Sequence, residues 1–287
     1  YPTVLTFGAV SFAYIGLNGA SDAVLASNKI FTLVTVLAIY WAATFIAMKG
    51  IGWVGKISKW GGLIGTIIPA GLLIVLGIIY IATGGHNYMD MSQSFIPDLT
   101  KFDNLVLASS IFLFYAGMEM MGVHVMDVNN PSRNYPKAII IGSLATVCIF
   151  VLGTFALGVI IPAKDINLTQ SLLIGFDNFF KYFHIPWAGP VIAVALMLGV
   201  LASVLTWVAG PSKGIFTVGK AGYLPPFFQK SNSHGVQRNI LLVQGGIVTL
   251  LSLLFVVMPS VQSFYQILSQ LTILLYLIMY MLMFAAA

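Results

Sequence analysis

Glu119 is the residue of this sequence whose side chain is best suited to acid–base or ligand-binding chemistry. It is the only glutamate among 287 residues, and it lies in an unbroken apolar stretch at residues 105–122. An ionised carboxyl group in hydrocarbon is costly unless it faces a polar cavity, finds a partner or takes up a proton. The position therefore predicts a functional carboxyl group. The alternative is a structural carboxylic acid that stays protonated and bonds a backbone carbonyl.

Two glycines, Gly117 and Gly122, bracket this glutamate. Glycine is a poor helix residue and permits the backbone to open. A helix that unwinds near the middle of a membrane exposes N–H and C=O groups to a small ligand, and the N-terminus of a half-helix favours a carboxylate. The alternative is close helix packing, in which small residues let two backbones approach. The glycines together with the sole glutamate favour an unwound segment.

Composition predicts that the chain is an integral membrane protein. Hydrophobic residues make up 59% of it, charged residues only 7%, and the mean hydropathy is +0.97, which is outside the range of soluble domains. A spanning helix needs roughly 20 mainly apolar residues. This length predicts one partial span and seven complete ones, at residues 1–17 (partial), 29–48, 61–83, 105–125, 138–161, 190–210, 240–258 and 264–285.

Two of the connecting segments are long enough to have a structure of their own. Segment 167–185 is too polar to span, but its apolar residues recur at helical spacing, which predicts an interfacial helix at the outer surface. The apolar residues are Leu168, Leu172, Phe176, Phe179, Phe180 and Phe183. Segment 211–239 contains glycines and prolines that are expected to prevent one continuous helix, so it is predicted to be a cytoplasmic loop.

The distribution of basic residues predicts the orientation of the chain in the membrane, because short cytoplasmic loops collect Lys and Arg. Alternate loops place nine basic residues on one side, Lys49, Lys56, Lys59, Arg133, Lys137, Lys213, Lys220, Lys230 and Arg238, against four on the other, Lys29, Lys101, Lys164 and Lys181. This bias accounts for the net charge of +5.

The basic residues form no stripe, so nucleic-acid binding is not expected. One cysteine and four scattered histidines do not predict a metal site, and no cofactor is expected.

Aromatic residues near the middle of the predicted spans are the other candidates for a site. They are Tyr40, Tyr80, Tyr115, Trp207, Tyr276 and Tyr280. Each is amphipathic, so it either packs in the protein core or lines a cavity with its polar tip free. For any single one of them core packing is the better prediction. Tyr276 and Tyr280 are four positions apart and share a helix face, which predicts a wall lined by tyrosine.

Several motifs resemble a known transporter family. The stretch Phe-Tyr-Ala-Gly-Met-Glu-Met-Met-Gly-Val-His-Val at residues 114–125, followed by Asp-Val-Asn-Asn-Pro-Ser-Arg-Asn-Tyr-Pro-Lys at 127–137, resembles the sixth helix and the next loop of amino acid permeases of the APC superfamily. Residues 199–214 and Leu-Pro-Pro-Phe-Phe at 224–228 resemble the eighth helix and its cytoplasmic exit. Within the superfamily, the bacterial glutamate/γ-aminobutyrate antiporter family is the most similar.

The resemblance implies an all-α polytopic protein with the LeuT-like fold of two inverted five-helix repeats, in which the first and sixth helices are broken around a central site. Residues 1–287 are then expected to form one transporter domain, a fragment that covers helix three in part to helix ten. Glu119 matches the sixth-helix glutamate of the family, implicated in proton-sensitive gating or binding. Trp207 lies on the eighth helix, and Tyr276 and Tyr280 lie on the tenth. Glutamate exchangers carry a glutamate where Ser203 stands, and this departure leaves the substrate open.

These observations lead to a functional hypothesis. The chain is expected to be part of an amino acid antiporter of the bacterial inner membrane that works by alternating access, with an amino acid substrate, protons and the lipid bilayer as its partners. Substrate binding or gating is assigned to Glu119, Gly117, Tyr115, Gly122, Ser203, Trp207, Tyr276 and Tyr280. The alternatives are an amino acid or polyamine permease or proton symporter of the same superfamily, and a non-transporting membrane sensor. No second catalytic group accompanies Glu119, so an enzyme is not expected.

Overall fold

The computed structural model describes residues 2–16, 22–89, 97–119, 122, 125 and 128–286, and the elements in these ranges are helical. The helices before the Glu119 region are α1 (Pro2–Ala13), α2 (Asp22–Ala26), α3 (Lys29–Ala47), α4 (Ile51–Gly62), α5 (Ile68–Ala82) and α6 (Phe102–Tyr115). Those after it are α7 (Pro131–Ile160), α8 (Ser171–Tyr182), α9 (Ala188–Val218), α10 (Arg238–Ser252), α11 (Leu254–Val257) and α12 (Val261–Ala286). The predicted all-α, multi-pass architecture is confirmed.

Six helical segments of the described residues are long and apolar enough to cross a membrane. They are Lys29–Ala47, Ile51–Ala82, Pro131–Ile160, Ala188–Tyr223, Arg238–Val257 and Val261–Ala286. They correspond to six of the seven complete spans predicted from the sequence. The seventh, at 105–125, is shorter than predicted, because α6 ends at Tyr115.

Three predicted boundaries are wrong because helices continue where loops were expected, and one of them is the start of α7, which lies at Pro131 and not at residue 138. A π-helical turn at Leu63–Ile67 joins α4 to α5, so the span predicted at 61–83 begins at Ile51 and includes Lys56 and Lys59. Helix α9 runs through Pro211 to Val218 and continues as a π-helical turn to Gly222 and Tyr223. Proline is tolerated inside membrane helices where Ser or Thr side chains and neighbouring segments satisfy the freed backbone groups.

Ser212 forms side-chain hydrogen bonds next to Pro211. Its buried hydroxyl donates to the carbonyl of Val208 at 2.6 Å, and the side-chain amide of Gln237 donates to the Ser212 oxygen at 2.7 Å. The amide therefore connects the end of the following loop to α9. The predicted loop 211–239 is thereby reduced to the part that follows Tyr223, which contains a short 3-10 helix at Pro226–Gln229.

Helix α9 is the central element of the packing. It contacts α1, α3, α4, α5, α8 and α10. Two clusters of buried apolar side chains include residues of α9. One, around Tyr40 of α3 and Leu205 of α9, contains residues of its middle turns, and the other, around Tyr80 of α5 and Phe179 of α8, contains residues of its first turns. Tyr40 and Tyr80 are therefore core residues, in agreement with the expectation for a single tyrosine.

Helix α8 has the apolar face predicted for segment 167–185, but the face packs against protein. Phe176, Phe179 and Phe180 are buried, and the helix contacts α5, α7 and α9. The prediction that Leu168 belongs to this face is wrong. It lies before the helix and is exposed, while Leu173 is buried. The position of α8 at the outer membrane surface stays a prediction.

Helix α6 begins at a short turn that is held by Asp98. The Asp98 carboxylate accepts hydrogen bonds from the hydroxyl of Thr100 at 2.6 Å and from its backbone N–H at 3.1 Å. These bonds hold the pKa of the exposed Asp98 carboxyl below its ordinary value, since they favour the charged form. The side-chain amide of Asn104 in the first turn of α6 donates to the Asp98 carbonyl at 2.9 Å.

Candidate functional site

The helix that leads to Glu119 stops before it reaches that residue. Helix α6 ends at Tyr115, the chain turns at Ala116 and Gly117, and Gly117 has a φ of 101°. L residues with a side chain rarely adopt such a backbone, whereas glycine does so at little cost. Met118 and Glu119 then form a short 3-10 turn. The prediction that the backbone opens beside Glu119 is confirmed, and Gly117 is the residue that makes this geometry accessible.

The Glu119 carboxylate is held by one of its two oxygens. Its Oε2 atom accepts a hydrogen bond from the Gly117 N–H at 3.0 Å and another from the Tyr280 hydroxyl at 2.8 Å. Its Oε1 atom is buried and has no hydrogen-bond partner in the part of the chain that the structure describes. A buried acceptor without a partner is costly. Oε1 is therefore available to a donor on a ligand, or to a proton.

Aromatic rings from α9 and α12 form a wall beside this carboxylate. The rings of Trp207 and Tyr276 are 6.4 Å apart and perpendicular, and those of Tyr276 and Tyr280 are 5.8 Å apart. Trp207 also lies against the helix break, because a Cβ atom on Gly117 would come within 2.6 Å of its ring. We call Gly117, Glu119, Trp207, Tyr276 and Tyr280 the Glu119 cluster. The predicted tyrosine wall on α12 is part of it.

The remaining predicted site residues lie around the cluster. The Tyr115 ring is 6.2 Å from that of Phe150, so it is directed toward α7. Gly122 is exposed, and a Cβ atom there would be 3.7 Å from the Tyr135 hydroxyl. Ser203 is half-buried on α9, one helical turn before Trp207. The structure therefore joins five of the eight predicted residues by contact, and a role in substrate binding or gating stays a prediction for all eight.

Contacts between the helix break and α7 were not predicted from the sequence. The Ser143 hydroxyl donates to the Met118 sulfur at 3.1 Å, next to Glu119. Ser143 and Phe150 are seven positions apart on α7 and so share a helix face. The only available signal was a serine in an apolar helix, which is common wherever membrane helices pack. No group of three potential metal ligands among His, Cys, Asp and Glu occurs within the described ranges.

Replacing Gly117 with alanine is expected to distort the Glu119 cluster. The φ of 101° at this position costs an L residue roughly 1–2 kcal/mol. The added methyl group would also meet the Trp207 ring at 2.6 Å, so the ring must move. We expect a lower melting temperature and a changed tryptophan emission spectrum in the purified full-length protein.

The double variant Gly117→Ala/Trp207→Leu separates these two causes. Removing the indole ring relieves the overlap but leaves the backbone strain, so the melting temperature is expected to recover only in part. A Gly117→Ala variant with unchanged stability and unchanged emission would contradict the close contact between α9 and the helix break.

Comparison of the sequence with known proteins places this chain in a family. The chain matches the amino acid permease family over residues 1–287. It is 34% identical over 287 residues to an uncharacterized transporter of Legionella pneumophila, a match that covers 100% of this chain and 61% of that protein. It is 32% identical over 253 residues to the glutamate/γ-aminobutyrate antiporter of Lactococcus lactis, covering 86% of this chain and 50% of the antiporter. A putrescine transporter of Haemophilus influenzae is 26% identical over 289 residues, covering 99% and 63%.

The chain spans 50–63% of the length of these relatives. The multi-pass all-α architecture and the broken helix at Gly117 are those of the inverted-repeat fold that the sequence motifs imply. Because the match extends over residues 1–287, the similarity is not confined to the motifs around Glu119. The chain belongs to the amino acid permease family.

Proposed function

We propose that the full-length protein containing this chain is an antiporter of the bacterial inner membrane that exchanges amino acids such as glutamate and γ-aminobutyrate by alternating access. Residues 1–287 form part of a single transmembrane transporter domain in this proposal. The observation that supports this proposal most directly is the hydrogen bonding of the Glu119 carboxylate. The sole glutamate of the chain lies at a helix break, with one oxygen held by Gly117 and Tyr280 and the other buried without a partner in the described residues.

The contact between Glu119 and Gly117 suggests how a proton and a substrate are coupled. The Gly117 N–H, which lies at the helix break, is occupied by the carboxylate of Glu119 at 3.0 Å. Hydrogen bonds to an ionised acceptor are roughly twice as strong as those between neutral groups. Protonation of Glu119 removes this advantage and releases the N–H for the carboxylate of an amino acid substrate. When Glu119 loses its proton, it competes with the substrate for the same donor.

The buried Oε1 atom of Glu119 contributes a second interaction. Whether Glu119 is ionised or carries a proton on Oε2, Oε1 can accept a hydrogen bond from an ammonium group, which every amino acid substrate carries. The rings of Trp207, Tyr276 and Tyr280 border the site, and aromatic faces attract ammonium groups. Glutamate and γ-aminobutyrate differ in the distance between their carboxylate and ammonium groups. We therefore propose that both substrates use the same two polar contacts in different geometries.

An exchange assay with the full-length protein in liposomes tests this function. Vesicles loaded with γ-aminobutyrate are expected to take up labelled glutamate, whereas vesicles without internal substrate are not, because an empty site does not reorient readily in an exchanger. The assay should cover acid to neutral pH, since the proposed coupling involves a proton. Absence of exchange over this whole range would refute the proposal.

The main alternative is a polyamine or amino acid permease, which similarity to the putrescine transporter of Haemophilus influenzae favours. A carboxylate with a free buried oxygen suits any substrate with an ammonium group, including a diamine that lacks a carboxylate. Competition with unlabelled putrescine distinguishes the two. A proton symporter would accumulate label in vesicles that contain no internal substrate, and a non-transporting sensor would bind substrate without any uptake.

A further inference from the structure

A groove of about 260 Å³ lies between α4 and α9, and none of its lining residues belongs to the Glu119 cluster. Its volume is close to the lower end of the ~300–1,000 Å³ typical of ligand sites. One wall is formed by a single face of α4 and the π-helical turn after it, and the other by α9. The lining includes Trp53, Lys56, Trp60, Ile64, Leu198 and Leu201.

The groove has an apolar floor and a basic rim. Ile64 and Leu198 are each 40% exposed, so aliphatic surface is open to an occupant. Lys56 is exposed at the groove. Two further lysines lie on the tryptophans that line it, with the Lys49 ammonium 5.7 Å from the Trp53 ring and the Lys59 ammonium 5.7 Å from the Trp60 ring. Such distances are within the range of cation–π contacts.

The three lysines have no acidic partner in the described residues. Among the described residues, the ion pair found joins Lys181 to Asp177, and none involves Lys49, Lys56 or Lys59. Residues 48–62 contain no Asp or Glu. Three positive charges beside open aliphatic surface suit an occupant that is anionic at one end and apolar along the rest. A phospholipid with an anionic headgroup has this chemistry, whereas a free phosphate lacks the apolar part.

Two further observations suit a lipid. Trp53 and Trp60 are 56% and 57% exposed, and tryptophan is enriched at the level of the lipid headgroups. The three lysines are also on the side that the distribution of basic residues predicts to be cytoplasmic, where anionic lipids concentrate. Basic pockets between membrane helices on that side bind anionic headgroups. We propose that the groove between α4 and α9 binds an anionic phospholipid, with its phosphate at Lys56 and an acyl chain along Ile64, Leu198 and Leu201.

Fluorescence quenching by brominated lipids tests this site without depending on the proposed transport activity. The full-length protein is placed in vesicles of phosphatidylcholine, and brominated phosphatidylglycerol or brominated phosphatidylcholine is added at increasing mole fraction. The signal of Trp53 and Trp60 is isolated by subtraction of a Trp53→Phe/Trp60→Phe variant. Brominated phosphatidylglycerol is expected to reach half-quenching at a lower mole fraction than brominated phosphatidylcholine.

Variants of the lysines assign the preference to the groove. Lys56→Gln is expected to raise the half-quenching fraction of the anionic lipid about fivefold, the effect of one basic residue near a membrane surface. Lys56→Arg retains the charge and should retain the preference. The matched control is Lys220→Gln, which removes a lysine that lies 5.4 Å from the Phe216 ring outside the groove. It is expected to change nothing.

Three outcomes would overturn the proposal. The first is equal quenching by the two brominated lipids in the unmodified protein. The second is a preference for the anionic lipid that is unchanged in Lys56→Gln and in Lys59→Gln. Testing both variants keeps the result decisive if one of them fails to fold. The third is the absence of quenching of Trp53 and Trp60 by either lipid, which would mean that another part of the full-length protein fills the groove.

Discussion

Replacing Gly65 with alanine is expected to destabilise the protein by about 3 kcal/mol or more, the upper end of the effect of overpacking a close-packed core. Gly65 lies in the π-helical turn between α4 and α5, where the backbone crosses α9 at Gly199. A Cβ atom on Gly65 would overlap the backbone of Gly199. Backbone cannot rotate away as a side chain can, so the two helices must separate. The measurement is the melting temperature of the full-length protein in detergent.

Gly71→Ala is the matched control for this prediction. Gly71 lies in the same membrane span, and a Cβ atom there meets nothing within 4 Å. Alanine favours a helix over glycine by about 1 kcal/mol, so this variant is expected to keep or slightly raise the melting temperature. If Gly65→Ala were as stable as Gly71→Ala, the close crossing of the π-helical turn and α9 would be wrong. Gly199→Ala is expected to repeat the Gly65 result, because the contact is reciprocal.

Glu119→Gln is expected to abolish the dependence of substrate exchange on pH. Glutamine keeps an oxygen that can accept from the Gly117 N–H and the Tyr280 hydroxyl, the two donors to Glu119, so the local geometry should persist. The variant has no proton to exchange and no negative charge. A hydrogen bond to a charged group contributes about 1.5–3 kcal/mol. The ratio of exchange rates between acid and neutral pH, expected to be on the order of tenfold or more in the unmodified protein, should fall to near one.

Whether acid speeds or slows exchange follows from the competition between Glu119 and the substrate carboxylate for the Gly117 N–H. When Glu119 is protonated, the N–H is released, and exchange in the unmodified protein should be fast. When it is ionised, the carboxylate retains the N–H, and exchange should be slow. Glutamine resembles the protonated state at every pH. Initial rates of labelled glutamate uptake into liposomes loaded with γ-aminobutyrate, taken at several pH values, measure both profiles.

Three control variants separate Glu119 from other titrating groups. Asp165→Asn removes an exposed carboxyl group and should leave the profile unchanged. Tyr280→Phe removes one donor to Glu119 but keeps the carboxylate, so it should retain a pH-dependent rate. His124 lies five positions further along the chain and outside the described residues. A His124→Gln variant is therefore needed. A profile that survives in Glu119→Gln and disappears in His124→Gln would remove Glu119 from the proposed mechanism.

The membrane spans and the helix break were accessible from the sequence because their causes are local. The bilayer imposes a length of roughly 20 apolar residues on each spanning helix, so six spans could be placed by hydropathy to within a few residues in most cases. Gly117 beside Glu119 predicted an open backbone because both residues are unfavourable in the middle of an apolar helix. The prediction failed at Pro211 and at Lys56, where local preference for a loop was outweighed by packing against neighbouring helices.

The contacts of the site could not be derived in the same way, because they join distant parts of the chain. Glu119 and the Tyr280 hydroxyl that binds it are 161 residues apart. The contact of Gly117 with Trp207 and that of Gly65 with Gly199 likewise depend on how helices cross. Periodicity gives the face on which a residue lies but not the partner that the face meets.

The sequence by itself thus determined the class of protein, most of its spans and the glycine-bracketed segment in which the sixth-helix backbone opens, because hydrophobic length and helix propensity act over a few turns. Only the tertiary structure decided that the opening is at Gly117, which oxygen of Glu119 is held, which rings border it and which glycines bring the π-helical turn before α5 against α9. These contacts depend on the relative positions of whole helices, and many side chains contribute to those positions together.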